Sequence, residues 1–161
     1  MTVHVRRVGG DDLPVLLDLI DGLADYEKLA RPDDAARGRL ARDALADPPP
    51  FHVLLADIDG TSVGYAFYFF TYSTFLARPT LYLEDIFVLP AWRAHGAGFA
   101  LFRACVSEAV ARGCGRMDWQ VLSWNEPAIK FYERLGAHAL GDWLPFRLDA
   151  AGLRRLAHSA E

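Results

Sequence analysis

Two adjacent carboxylates, Glu84 and Asp85, interrupt an otherwise apolar run, Leu81-Tyr82-Leu83-Glu84-Asp85-Ile86-Phe87-Val88. Flanked in this way they are suited to accepting protons, because partial burial beside a like charge raises one carboxyl pKa toward neutrality. Next comes Arg93-Ala94-His95-Gly96-Ala97-Gly98, between a strand pattern and a helical one. Glycines at such a place let backbone amides converge on an anion at the positive end of the helix, and Arg93 adds a planar fork of donors. Further on, Trp124-Asn125-Glu126-Pro127-Ala128-Ile129-Lys130-Phe131-Tyr132 brings a phenol that can donate a proton or a hydrogen bond.

Each feature alone has a plainer reading. An acidic pair can mark a solvated strand end, a G-x-G can be a simple helix start, and a helical tyrosine can be packing. The dinucleotide fingerprint G-x-G-x-x-G expects a third glycine where this chain has Leu101. Asp118 stands at the spacing of a ribose-binding acid, but inside the strand pattern Met117–Leu122 rather than at its carboxyl end, which argues against a nicotinamide site. Successive strand residues face opposite sides, so Glu84 and Asp85 share one pocket only if the strand bulges.

The elements that must position these groups follow from periodicity. Val3 and Val5 alternate with polar residues up to Gly9-Gly10, giving a first strand. Asp11 or Asp12 caps a helix whose stripe is Leu13, Leu16, Leu17, Ile20 and Leu23, reaching about Tyr26, and Asp33-Asp34 opens a more polar helix stopped before Pro48-Pro49-Pro50. Phe51–Ile58 and Ser62–Tyr72 read as antiparallel strands joined at Asp59-Gly60, followed by a strand over Thr80–Val88. A helix from Gly98 to Gly113, a strand over Met117–Leu122, a helix from Asn125-Pro127 to Gly136, a strand over Trp143–Leu148 and a short terminal helix complete the order. This is α/β with a mixed sheet.

Composition bounds the function. At 161 residues, 52% hydrophobic and 24% charged, the chain reads as one domain over 1–161 that folds by itself. A net charge of −4 and a pI near 5.7 argue against a nucleic-acid partner and suit a cationic small molecule. Cys105 and Cys114 have no C-x-x-C spacing and read as reduced thiols, and the five histidines show no ligand spacing, so no metal is expected. With no signal-peptide pattern and a longest apolar run, Val63–Phe70, too short for a bilayer, no membrane partner is expected and the cytoplasm is the default.

Taken together, the acidic strand, the loop and the Asn-Glu-Pro…Phe-Tyr helix resemble the GNAT superfamily of N-acetyltransferases, in particular its diamine (spermidine/spermine) and thialysine branch. The resemblance also covers Asp25-Tyr26-Glu27 and Tyr68-Phe69-Phe70-Thr71-Tyr72, and so nearly the whole chain. It implies a mostly antiparallel sheet with a central splayed strand pair, flanked by helices. It implies acetyl-CoA as co-substrate, held by Ile86, Phe87, Val88, Arg93, Ala94, His95, Gly96, Ala97, Gly98 and Phe99, with Asn125, Pro127 and Ala128 from the later helix. Glu84 is then the general base, acting through ordered water, and Tyr132 the proton donor to the departing thiolate. Tyr26, Glu27, Glu84, Asp85 and Phe75 would bind a primary amine of a small polyamine, diamine or lysine-like acceptor, with the enzyme a homodimer. The chain departs from that branch at Ala94, where glycine is usual, at Phe75, where tryptophan is frequent, and in a shorter segment around Gly141-Asp142-Trp143. A CoA-binding module without catalysis, and an enzyme for protein or peptide amines, are the alternatives.

Overall fold

The computed structural model describes residues 1–159. The chain divides into two compact units, Met1–Gln120 and the unit that begins at Val121. The first holds β1 (Val3–Arg7), α1 (Leu13–Glu27), α2 (Asp34–Ala44), β2 (His52–Ile58), β3 (Thr61–Ser73), β4 (Arg78–Val88), α3 (Ala97–Ala111) and β5 (Arg116–Trp119). The second holds α4 (Glu126–Arg134) and α5 (Ala150–Ala157).

The sheet runs in the order β1-β2-β3-β4-β5, antiparallel throughout except for the parallel β4/β5 pair, which α3 connects as a crossover. Asp59 and Gly60, both at positive φ, make the tight β2–β3 turn that the Asp-Gly pair predicts. Val53, Leu54, Leu55 and Ala56 are all buried, as expected for a strand covered on both faces. On one face Leu16 of the α1 stripe, together with Leu19 from outside the expected stripe, packs with Val53, Leu55, Tyr65 and Phe87, and Ile20 and Leu23 pack against them. Gly22 keeps that helix close: a Cβ there would lie 3.0 Å from the Phe87 ring. In α3 the buried side is Leu101, Phe102, Cys105 and Ala109, and the helix packs along β1 to β4.

Asp12 takes the N-cap position of α1 without capping it. Its carboxylate accepts from the Gly9 N–H at 2.7 Å and from Arg6 Nη1 at 2.7 Å, while Arg6 Nε donates to Asp57 at 2.6 Å, so one guanidinium ties β1, β2 and the start of α1 together. Asp33 does cap α2, accepting from the Ala36 N–H at 2.8 Å.

Three expectations change. β4 starts at Arg78, with Pro79 inside the strand opposite Tyr72. β5 stops at Trp119 rather than Leu122, because it is an edge strand paired only with Thr80–Leu83. Trp143–Leu148 forms no strand; Pro145 in its middle has no N–H for a ladder, and Trp143, Leu144 and Phe146 are exposed. No helix among the described residues is long and apolar enough to cross a membrane.

Candidate active site

The β3/β4 register skips one residue. Tyr68 pairs with Leu83 and Phe67 with Asp85, so Glu84 is the extra residue of a β-bulge. The bulge resets the pleat: Tyr82 packs at a tilt against Phe69 before it, whereas Asp85 meets Tyr65 and Phe87 joins the α1 core after it. Both carboxylates therefore reach the same side. Glu84 and Asp85 line one cleft of about 510 Å³ whose other walls, Ile20, Leu40, Pro50, Phe51, Phe67 and Phe69, are almost wholly apolar.

Charge is concentrated there. Glu84 is exposed, while Asp85 and Glu27, the last residue of α1, are half-buried. Burial pushes the Asp85 carboxyl up to about 6; a hydrogen bond from Tyr65 opposes this, and repulsion from Glu84 and Glu27 adds to it. Burial, then Glu84, also raises Glu27. The Tyr65 hydroxyl donates to Asp85 Oδ2 at 3.1 Å, and its phenol is held above the usual range by burial first and by Asp85 next, so it stays a donor. Glu84 and Asp85 line the cleft, and Glu27 lies close enough for the three acids to repel one another.

Past the bulge, β4 has no strand on its β5 side, since that pairing ends at Leu83 opposite Trp119. The Leu89 N–H bonds to the Val63 carbonyl at 2.9 Å, so by the two-residue alternation the amides of Ile86 and Val88 point away from β3, and that of Phe87 points toward it. This is the splayed geometry the resemblance implies, with two outward amides rather than three. Gly64 permits the close approach of β3: a Cβ there would sit 2.5 Å from the Phe87 carbonyl oxygen.

The glycine loop leads into α3, with Gly96 at the N-cap and φ of 87°. The amides of Ala97, Gly98 and Phe99 lack intrahelical acceptors by position, and a Cβ on Gly96 would meet nothing within 4 Å, so that side is open to an anion. Ala94 takes φ of 65°, a left-handed conformation that glycine adopts without strain. Arg93 Nε donates to the Val88 carbonyl at 3.1 Å and its guanidinium lies 4.6 Å from the Tyr26 ring centroid. Arg93 thus joins the end of β4 to the end of α1, and Tyr26 packs against the core and under this cation. His95 Nδ1 donates to the Arg93 carbonyl at 2.9 Å. Phe99 is exposed beside Arg103.

Of the sequence-predicted residues, Glu27, Glu84 and Asp85 are brought together, with Arg93 and Tyr26 joined behind them. Phe75 is not: it is fully exposed at the tip of the β3–β4 hairpin, about 20 Å along β3 from Phe67 at ordinary strand rise. In the second unit, Asn125 caps α4 by accepting from the Ala128 N–H at 3.4 Å, Pro127 occupies the first turn, and Tyr132 packs its ring against Phe131 at 5.4 Å. Tyr65 and the apolar walls Phe51, Phe67 and Phe69 escaped the sequence reading. Their one signal is parity: Tyr65, Phe67 and Phe69 alternate along β3 and so share a face.

Comparisons with known proteins agree with this fold. A profile of the acetyltransferase (GNAT) family matches residues 17–137. The thialysine N-epsilon-acetyltransferase of Mus musculus is 34% identical over 97% of this chain and 98% of its own. The spermidine/spermine N(1)-acetyltransferase-like protein 1 of Homo sapiens is 30% identical over 96% of this chain, which spans 24% of that longer protein. Among solved structures, an integron cassette protein from the mobile metagenome of V. cholerae superposes with a TM-score of 0.79, at 26% identity and 99% coverage of both chains. The chain belongs to the GNAT acetyltransferase family, and the protein is an N-acetyltransferase.

Proposed function

We propose that this enzyme transfers an acetyl group directly from acetyl-CoA to a primary amine of a small, cationic, diamine- or lysine-like acceptor. The carrying observation is the bulge at Glu84, which turns two adjacent acids into one apolar cleft, with Glu27 close enough to interact with both. An aliphatic stem suits the aromatic walls and ammonium groups suit the acids. The names of the relatives, thialysine and spermidine/spermine acetyltransferases, support the same acceptor class.

The chemistry needs a proton acceptor. An alkyl ammonium with pKa near 10.4 is only about 0.04% neutral at pH 7, which costs roughly 4.6 kcal/mol if the free amine must attack. Glu84, exposed at the cleft, takes that proton directly or through a water, with Asp85 beside it. The outward amides of Ile86 and Val88 polarise the thioester carbonyl as its oxygen becomes negative. The open amides of Ala97, Gly98 and Phe99, at the start of a 15-residue helix, fit the pyrophosphate of CoA. Arg93, Ala94, His95 and Gly96 form the approach to it, and Asn125, Pro127 and Ala128 contact the pantetheine arm. Tyr132 hydrogen-bonds or protonates the leaving thiolate; full transfer from an ordinary phenol to an ordinary thiolate is uphill by roughly 2 kcal/mol.

In this reading Tyr26 orients Arg93 at the rim of the acceptor site. The enzyme acts in the cytoplasm as one catalytic domain and assembles as a homodimer, to which the exposed hairpin residues Tyr72, Phe75 and Leu76 contribute apolar surface. The acceptor assignment is tested by thiol release from acetyl-CoA with spermidine and with a short monoamine. Glu27→Gln is expected to lower kcat/KM for spermidine about tenfold, the size of one lost charge contact, and that for the monoamine by less than threefold. Equal losses would remove Glu27 from acceptor binding.

A further inference from the structure

We propose that Tyr65 is a positioning residue that fixes Asp85 as the member of the carboxylate pair on which the acceptor's proton comes to rest. The inference rests on the acetyltransferase reading above and extends it to a residue which that reading does not use.

Tyr65 is fully buried in the core under α1, opposite Phe87 in the ladder, and its hydroxyl reaches Asp85 Oδ2 at 3.1 Å. A phenol donates one hydrogen, so this bond prefers Asp85 ionised and fixes one oxygen. Asp85 also lines the cleft. The titratable groups facing Asp85 are Glu84 on its own strand, Glu27 at the end of α1 and Tyr65 on β3; the walls from α2 and the residues before β2 are apolar. Without Tyr65, burial and two like charges would hold Asp85 protonated up to a higher pH and weaken it as an acceptor below neutrality. With it, the carboxyl titrates at about 6, ionised at pH 7 yet about a hundredfold more basic than an ordinary aspartate.

The step balances simply. An N–H bond of the bound ammonium breaks and an O–H bond forms on Asp85, directly or across Glu84 and a water. The freed nitrogen lone pair then attacks the thioester carbon, the C–S bond breaks as the carbonyl re-forms, and the nitrogen gives its second proton to solvent to become an amide. The thiolate leaves as a thiol with a proton from Tyr132, which regains one from solvent, and Asp85 releases its proton to solvent after product leaves, a net loss of one proton. Two carboxylates thereby divide the work: Glu84 faces the amine and Asp85 stores the proton.

The test combines two readouts on the whole protein, wild type and Tyr65→Phe, with cooperative thermal unfolding confirming that the variant is folded. One is the acid limb of kcat/KM for acetyl transfer to spermidine. The other is the titration of the Asp85 side-chain carbon by carbon-13 NMR without substrate. The wild-type limb and the Asp85 midpoint should coincide near 6, and both should move up together by about one pH unit in Tyr65→Phe, since a donor to the ionised form is lost. At pH 6 the variant should then be about fivefold slower, and at pH 8 within about twofold of wild type. A midpoint that stays put overturns the positioning role. A midpoint that moves while the limb does not overturns Asp85 as the proton's resting place, as does a wild-type limb more than about one unit from the midpoint. A wild type that acetylates no amine would strike the functional reading instead, and the carbon titration alone would then decide whether Tyr65 controls Asp85.

Discussion

Glu84 and Asp85 are chemical twins placed differently by one skipped ladder position: the first is exposed at the cleft and the second lies half-buried against Tyr65. Glu84 and Asp85 were readable as site candidates from sequence as carboxylates in an apolar run, and Glu27 through the family resemblance alone. Tyr65 was not, because its role depends on which residue of β4 it meets, and that is set by a bulge invisible in the residue pattern. Ala94 shows the reverse. Sequence flagged it only as a departure from glycine, and the backbone gives the reason, a φ of 65°. Ala94→Gly should therefore stabilise the protein by up to about 1 kcal/mol, since the strain of a left-handed alanine exceeds the extra chain entropy of glycine. A thermal melt should show a rise of about 2–4 °C per kcal/mol. A lower melting temperature would mean that surrounding contacts favour the alanine.

Among the elements, the helices were the most legible, since a stripe such as Leu16, Ile20 and Leu23 needs only its own period to be recognised. Strand ends were less so, because a strand exists only while a partner pairs with it. β5 ends where β4 bulges away, and Trp143–Leu148, though apolar, finds no ladder. The bulge itself suggests a direct experiment. Leu83 and Asp85 already oppose the consecutive residues Tyr68 and Phe67, so deleting Glu84 closes the ladder without moving either neighbour to the wrong face. The deletion variant should unfold cooperatively at an unchanged or higher temperature and lose acetyl transfer by about 100-fold or more, the scale of a missing acid–base group. Retained turnover would show that Glu84 is dispensable, and a collapse in stability would show that the bulge is structural. Gly64 is the counterpart on β3, where any side chain meets the Phe87 carbonyl.

For the whole molecule, an acid cleft in a chain of net charge −4 trades stability against function. A carboxyl raised to about 6 binds its proton more tightly when folded, so Asp85 removes stability as pH rises from about 4 to about 6. Asp85→Asn should thus be more stable than wild type by about 2 to 3 kcal/mol above pH 6, converging below pH 4, as measured by urea unfolding. A constant difference across that range would deny the shift. Asp12 and Asp57 have the opposite sign. Asp12 is held down by Arg6, and in Asp57 bonds from Ser62 and Arg6 outweigh burial, so their support is present above about pH 4 and is lost on further acidification. The family was legible from three motifs in order, whereas the acceptor depends on the shape and charge of a cleft assembled from α1, α2, β3 and β4. The most direct measurement is mass spectrometry of an equimolar mixture of thialysine, lysine, putrescine, spermidine and a lysine-containing peptide, incubated with the protein and acetyl-CoA. Acetylation of the free diamine-like amines ahead of the peptide is the predicted result; acetylation of the peptide alone, or of nothing while acetyl-CoA binds, would contradict it.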